Sequence, residues 1–546
     1  MKGKFISVIL VMISIMGYCQ IDSGMVIEKN VEIFRSYLQT LGSNYVDKIN
    51  TTRLLHKGID AMNQSLDPYT VFRNEEEIKA QNNGWKGYLF SGIGVGVAER
   101  DSMVTIISLY EGDPAHLAGV HIGDRVLAVD SINVRRMSFS DVIKKIKGGE
   151  GTKVTITFDR PGVGKVKIPI VRKTIIARSV NYYSMINDSI GYIDISQFLI
   201  NSYDSLVYAF NTLKKNNKFK YLVLDMRGNA GGLVQDAVNT ANMFLPKGKL
   251  VCDLKSENNK ESNYNYTTLY EPVDTNIKIV ALTSNYTVSA GEIMLGALQD
   301  YDRAVLAGQR TFGKGYVQGT RSLVHNTELY VTAARYFTPS GRCIQETDYT
   351  HKYLDEKVNK INDSVKPVFY TQHHRKVVAS DGIEPDVKLP PPSQLPEAVS
   401  LLISNNILGD YATLYRNTHT VYPDMASFAL TKKDVDEFMQ IATKKILNIS
   451  TQAESETDKL DTILKKDSIQ NLFKNDIGKI KQKLVKKKLT ELREDKTLIK
   501  SLLEKEILIR YYNYKANIHY IFYHSPEIKE AIEIFKSRYN SILNLK

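Results

Sequence analysis

Apolar residues in the N-terminal part of the chain recur at helical spacing: Ile33, Tyr37, Leu38 and Leu41, then Leu54, Leu55, Ile59 and Met62. Residues from about Met25 to Asn83 therefore read as helical, with Leu66-Asp67-Pro68-Tyr69 supplying a turn. From Gly87 to Lys173 the pattern shortens to β-runs. These are Ile93-Gly94-Val95-Gly96-Val97, Val104-Thr105-Ile106-Ile107, Arg125-Val126-Leu127-Ala128-Val129 and Val154-Thr155-Ile156-Thr157-Phe158, with a turn at Glu111-Gly112-Asp113-Pro114 and a helix near Ser140–Ile146. From about Ile190 to Pro390 apolar strands alternate with helical runs. The strands are Gly191–Ile195, Tyr221–Asp225, Ile277–Leu282 and Ala304–Ala307; the helices lie near Tyr203–Lys215, Gln235–Phe244 and Ala290–Gln299. That alternation predicts an α/β core. Beyond Pro390-Pro391-Pro392 the chain turns helical, Lys-rich and poor in glycine, with no evident chemistry.

Composition and charge change this picture in few places. At 546 residues the chain is too long for one ordinary core, and its 43% hydrophobic content fits a globular protein. The net charge of +12 collects late, in helix-like runs such as Lys486-Lys487-Lys488, which read as a solvated helix face rather than a nucleic-acid site. Lys2 and Lys4 precede an apolar run from Phe5 to Met16, then Gly17-Tyr18-Cys19, as in an export signal cleaved before Gln20. Tyr18 suits a lipoprotein anchored at Cys19 poorly. No later stretch is apolar enough to span a membrane, so the expected location is the periplasm or cell envelope. Removal of the signal would leave Cys252 and Cys343, which allow one disulfide but no disulfide framework.

The order of the β-runs resembles a PDZ domain. Gly112-Asp113-Pro114-Ala115, Ala118-Gly119-Val120, Gly123-Asp124-Arg125-Val126 and Gly148-Gly149-Glu150-Gly151-Thr152 fall in that family's order. Such a module holds a terminal carboxylate on the free N–H groups of a glycine turn and pairs the ligand backbone with the next strand. Ser91-Gly92-Ile93-Gly94 is the candidate carboxylate loop. Val142, Ile143 and Ile146 would line an apolar side-chain pocket or belong to the core, because both positions share one periodicity.

Two segments carry the chemistry. Thr287-Val288-Ser289-Ala290-Gly291-Glu292 puts a serine at a strand-to-helix junction, and Thr311-Phe312-Gly313-Lys314-Gly315-Tyr316-Val317-Gln318 puts a lysine between glycines 25 residues on. Ser289 with Glu292 is a capping-box pattern, yet a serine held there also suits a nucleophile beside the Ala290 N–H. A neutral lysine can serve as its base. Gly308-x-x-x-x-Gly313-Lys314 imitates a phosphate loop, but Gly315 stands where magnesium would need Ser or Thr. A third segment, Asp225-Met226-Arg227-Gly228-Asn229-Ala230-Gly231-Gly232-Leu233, is a glycine-rich turn between strand and helix that can aim N–H groups into a site.

Together these segments resemble the C-terminal processing (tail-specific) peptidases, Ser/Lys proteases with a PDZ domain. The resemblance extends through Val387 and includes Ser65–Tyr69, Gly92–Val95, Ala297–Asp300, Tyr336–Arg342 and Gly382–Val387. It implies Ser289 as nucleophile, Lys314 as general base, Gln318 orienting the lysine, and an oxyanion hole from the N–H of Ala290 and of Gly231 or Gly232. Residue pattern and resemblance together predict an α+β multidomain chain: signal peptide 1–19, helical region 20–86, PDZ domain 87–175, crotonase/Clp-protease-like catalytic domain 176–394 and helical basic extension 395–546, the residues from about Leu395 onward falling outside the resemblance. Expected partners are proteins or peptides with accessible apolar C-termini, with no metal, cofactor or nucleic acid; homo-oligomerisation stays open. Ala230, Gly291 and Val288 depart from the family's usual Pro, Ser and Ala, and none of them removes a reacting atom. Two rivals remain: a non-catalytic peptide-binding module on the same scaffold, and an envelope scaffold held by the basic tail.

Overall fold

The computed structural model describes residues 23–78, 89–216, 218–258, 260–345, 347–349, 352–354, 366–379, 382–391 and 394–545. The expected signal segment, including Cys19, lies outside them, as does Pro392. The chain divides into two compact units, one of residues 1–74, 320–331 and 349–358 and the other of the remainder.

In the first unit, helices Ser23–Asn44 and Thr51–Leu66 follow the apolar spacing, and Asn50 caps the second by accepting the Arg53 N–H at 2.9 Å. The Leu66–Tyr69 turn is an Asx turn in which Asp67 Oδ1 accepts the N–H groups of Tyr69 and Thr70, each at 2.7 Å. The expected run of helix is then interrupted. Val71–Arg73 is a strand, antiparallel to Glu328–Tyr330, with the Arg73 guanidinium 4.3 Å from the Tyr330 ring centre.

The second unit contains a six-stranded antiparallel sheet in the spatial order Val95–Arg100, Met103–Leu109, Arg125–Val129, Lys153–Arg160, Gly164–Val171, with the short strand Ile132–Asn133 also paired to Arg125–Val129. Helix Phe139–Ile146 closes its core, capped by Ser138. The run Ile93–Val97 is not one strand. It breaks at Gly94, at φ +73°, where a Cβ would strike the Asp113 side chain at 2.5 Å.

Next comes a six-stranded sheet in the order Val180–Met185, Ile190–Ile195, Tyr221–Asp225, Lys278–Thr283, Ala304–Gly308, Val387–Lys388. The first pair is antiparallel and the rest are parallel. Side chains alternate between two covered faces. Ile193, Leu224, Ala281 and Leu306 pack under helices Ser202–Lys214, Val234–Ala241 and Ala290–Asp300. Tyr192, Val223, Val280 and Val305 pack on the opposite face against Ile518, Ile528, Ile534 and Phe535 of the C-terminal helices. The C-terminal region is therefore half of this core, and its own helices from Glu397 onward enclose a further core around Leu402, Phe438 and Leu503. Lys486 and Lys487 are exposed as expected of a solvated face, but Lys488 is not. It falls on the inner stripe of helix Gln470–Glu494, in line with Leu492, and pairs with Glu454 at 2.7 Å. Cys252 and Cys343 are both free thiols. Among the described residues no helix is long and apolar enough to cross a membrane.

Candidate active site

The parallel strands deliver two turns to one place. Tyr221–Asp225 runs into the glycine turn 226–233, and Lys278–Thr283 runs into 284–289. The turns are laced together: Thr287 Oγ1 donates to the Met226 carbonyl at 2.8 Å, the Val288 N–H donates to the Asn229 carbonyl at 2.9 Å, and Ser284 Oγ donates to the Arg227 carbonyl. A Cβ on Gly231, at φ +84°, would lie 2.8 Å from the Val288 oxygen and 2.9 Å from Ser289 Cβ, so only glycine lets this turn approach the serine.

Ser289 adopts φ +58°, ψ −117°, outside the regions a side chain favours, and such strain concentrates at functional turns. It is half-buried and forms a capping box with Glu292 at the start of helix Ala290–Asp300. Glu292 reaches well beyond capping. Completely buried, its Oε2 accepts the N–H groups of Ser289 at 2.7 Å and Lys314 at 3.0 Å. Its Oε1 accepts the Thr311 hydroxyl at 2.5 Å and the Gly313 N–H at 2.7 Å. One carboxylate thus holds the serine and lysine main chains to a single oxygen. Burial pushes its pKa up to about 7 against the pull of those donors. The sequence showed Glu292 only as the acid of a capping box; the clue to more was one carboxylate leading an otherwise apolar helix.

Lys314 is half-buried in a turn anchored on both sides. Gly313 sits at φ +88°, and a Cβ on Gly315 would lie 2.8 Å from the Gln345 main-chain nitrogen. Gln345 also accepts the Gly315 N–H through Oε1 at 2.8 Å. Gln318 lies on strand Tyr316–Ser322, and its amide donates to Thr332 Oγ1 at 3.2 Å. Buried Tyr336 reaches the Ser289 carbonyl from the other side at 3.5 Å.

The candidate oxyanion donors separate cleanly. The Gly231 N–H donates to Asn229 Oδ1 at 3.0 Å. The N–H groups of Gly232 and Ala290 have no hydrogen-bond partner among the described residues. Buried Asn229 sets this arrangement, since its other amide end donates to the Ile195 carbonyl at 3.0 Å. Gly291 fits the same contact: a Cβ there would lie 2.7 Å from Asn229 Oδ1.

Among the described residues, strand Val95–Arg100 is an edge of its sheet, paired only with Met103–Leu109. Ile93 is buried and its carbonyl accepts the Ala115 N–H at 2.8 Å. Among the described residues, the buried Ser91 hydroxyl, in the strand leading to Gly92 and Gly94, has no hydrogen-bond partner. Val142 and Ile146 are core residues at 1% and 4% exposure, which leaves half-buried Ile143 as the helix residue facing outward of the three.

Comparison with known proteins agrees with this layout. Residues 189–353 match peptidase family S41, 105–160 match a PDZ domain, and 398–535 match the C-terminal helical domain of a probable PDZ-protease. The chain is 32% identical over 60% of its length to the carboxy-terminal-processing protease of Bartonella bacilliformis, covering 76% of that protein. It is 32% identical over 56% of its length to the carboxy-terminal processing protease CtpA of Bacillus subtilis, covering 65% of it. A probable CtpA-like serine protease of Staphylococcus aureus is 33% identical over 58% of this chain and is 63% covered. With its Ser289 turn, glycine turn and PDZ-type sheet in one chain, this protein belongs to the carboxy-terminal-processing proteases of peptidase family S41, serine-type peptidases that carry a PDZ domain.

Proposed function

We propose that the protein is an exported endopeptidase that takes up protein C-termini on its PDZ domain and cleaves peptide bonds through a Ser289–Lys314 dyad. The observation that carries this reading is the shared Glu292 oxygen, which brings the serine and lysine turns together beside the glycine turn. Neutral Lys314 takes the Ser289 proton as Oγ attacks the scissile carbonyl. The tetrahedral oxyanion is received by the N–H groups of Gly232 and Ala290. Lysine then protonates the leaving amine, and water, deprotonated by the same lysine, hydrolyses the acyl-enzyme. Gln318 orients the lysine from the neighbouring strand. The carboxylate of a bound tail meets the Ser91–Gly94 turn, its backbone extends strand Val95–Arg100, and its apolar side chain meets Ile143. Export rests on the basic and apolar pattern of the first 19 residues.

Mass spectrometry of products from unfolded substrates with apolar C-termini tests the reading. Wild type is expected to cleave, while Ser289→Ala and Lys314→Ala do not. Turnover by purified Ser289→Ala at the wild-type rate refutes the dyad. N-terminal sequencing of the mature protein is expected to start at Gln20.

A further inference from the structure

The glycine turn is braced from outside the catalytic helices. Asp225 and Asp194 stand side by side at the ends of neighbouring parallel strands, and neither has a part in the dyad chemistry. Asp225, 6% exposed, accepts the Tyr192 hydroxyl at 2.7 Å and a two-pronged contact from Arg227, Nε to Oδ1 at 2.9 Å and Nη2 to Oδ2 at 2.6 Å. The C-terminal helices complete both sites. Tyr514 donates its hydroxyl to Asp194. Arg227 Nη1 donates to Ser525 Oγ at 3.1 Å and lies 3.1 Å from Glu527 Oε2, and Ser525 in turn donates to Glu527 at 2.5 Å. Ser525 and Glu527 are each 9% exposed.

Arg227 is the pivot. Its side chain is held by the C-terminal helix and its carbonyl by Ser284 of the nucleophile turn, and the Gly232 N–H lies five residues further on. A planar guanidinium gripped on both edges has little freedom, so its backbone is placed accurately. We infer that Ser525 and Glu527 are positioning residues for the oxyanion hole, acting through Arg227, and that the helical extension is a working part of the catalytic site. This rests on the peptidase reading above and adds to it a contribution from outside the catalytic domain.

The test is the full-length double variant Ser525→Ala/Glu527→Ala, assayed on the substrate that separates wild type from Ser289→Ala. An ångström-scale displacement of a catalytic group costs on the order of 10²-fold in rate, so kcat is expected to fall by about that factor with KM unchanged. Glu527→Gln alone, which keeps an acceptor facing Arg227, is expected to retain most of the rate. Hydrogen exchange is expected to quicken across residues 226–233 but not in strand Lys278–Thr283. Wild-type kcat and wild-type exchange in the folded double variant overturn the inference. Faster exchange in both segments overturns it too, because the pair then only holds the fold. Should the double variant not fold, Glu527→Ala alone is judged by the same readings. If wild type cleaves nothing, the peptidase reading fails and the exchange comparison still decides the brace.

Discussion

Replacing Glu292 by Gln isolates the carboxylate that joins the Ser289 and Lys314 turns. The side chain accepts four donors, two on each oxygen. An amide keeps one accepting oxygen and turns the other position into a donor. With the amide nitrogen toward Thr311, the Gly313 N–H loses its acceptor; turned the other way, the N–H groups of Ser289 and Lys314 do. Each stranded buried donor costs about 1–3 kcal/mol. Against this, the wild type buries a charge. Its folded pKa of about 7 lies above the usual 4.5, so the folded state holds a proton that the unfolded state releases between those values. Stability from this group is therefore full below pH 4.5 and lost as pH rises through 7, by about 3 kcal/mol at about 1.4 kcal/mol per unit. Activity runs the other way, because only the ionised carboxylate accepts all four donors. Because a protonated carboxyl strands a donor as an amide does, the variant is expected to lie close to wild type in stability in acid, to be the more stable of the two above pH 7, and to have the lower kcat where the wild-type carboxylate is ionised. Thermal melts from pH 4 to 9 and pH–kcat profiles of both proteins measure this. A wild-type kcat in Glu292→Gln, or a stability gap that does not change with pH, refutes the reasoning.

Gly231→Ala places a Cβ against the Val288 oxygen and Ser289 at positive φ. It is expected to cost about 1–3 kcal/mol in strain and to lower kcat on the order of 10²-fold, read by thermal melts and by steady-state kinetics. Glu454→Ala leaves the Lys488 ammonium buried without its carboxylate partner. A loss of about 3–5 kcal/mol is expected in the helical extension, seen as a lower first unfolding midpoint in calorimetry, with PDZ-peptide binding unchanged.

The capping-box spacing of Ser289 and Glu292, the glycines around Lys314 and the Asp225–Leu233 turn were all legible, because local backbone demands write themselves into local sequence. Gly94 and Gly231 are glycines for reasons of φ and close approach, and Gly313 for its φ of +88°. What each side chain faced was not legible. Val142, Ile143 and Ile146 share one helical stripe, and only the fold separates two core residues from one that faces outward. Gly231 and Gly232 are adjacent and alike in sequence, yet the Asn229 side chain occupies one N–H and leaves the other.

The strands show the same division. Ile190–Ile195 and Tyr221–Asp225 are nearly continuous apolar runs, and by themselves they require a sheet covered on both faces. Helices between the strands account for one face. The second cover comes from residues some 300 positions downstream, in a segment whose lysines suggested only a solvated surface. Periodicity reports that a face is buried, since burial is imposed residue by residue along one element. It carries no label for the partner, because apolar contact is non-directional and any complementary stripe will serve. The alternation of buried faces, the turns and the reactive residue types were thus determined by the sequence. The pairing of Glu292 with both the Ser289 and Lys314 turns, and of Ser525 and Glu527 with Arg227, was decided by tertiary structure alone.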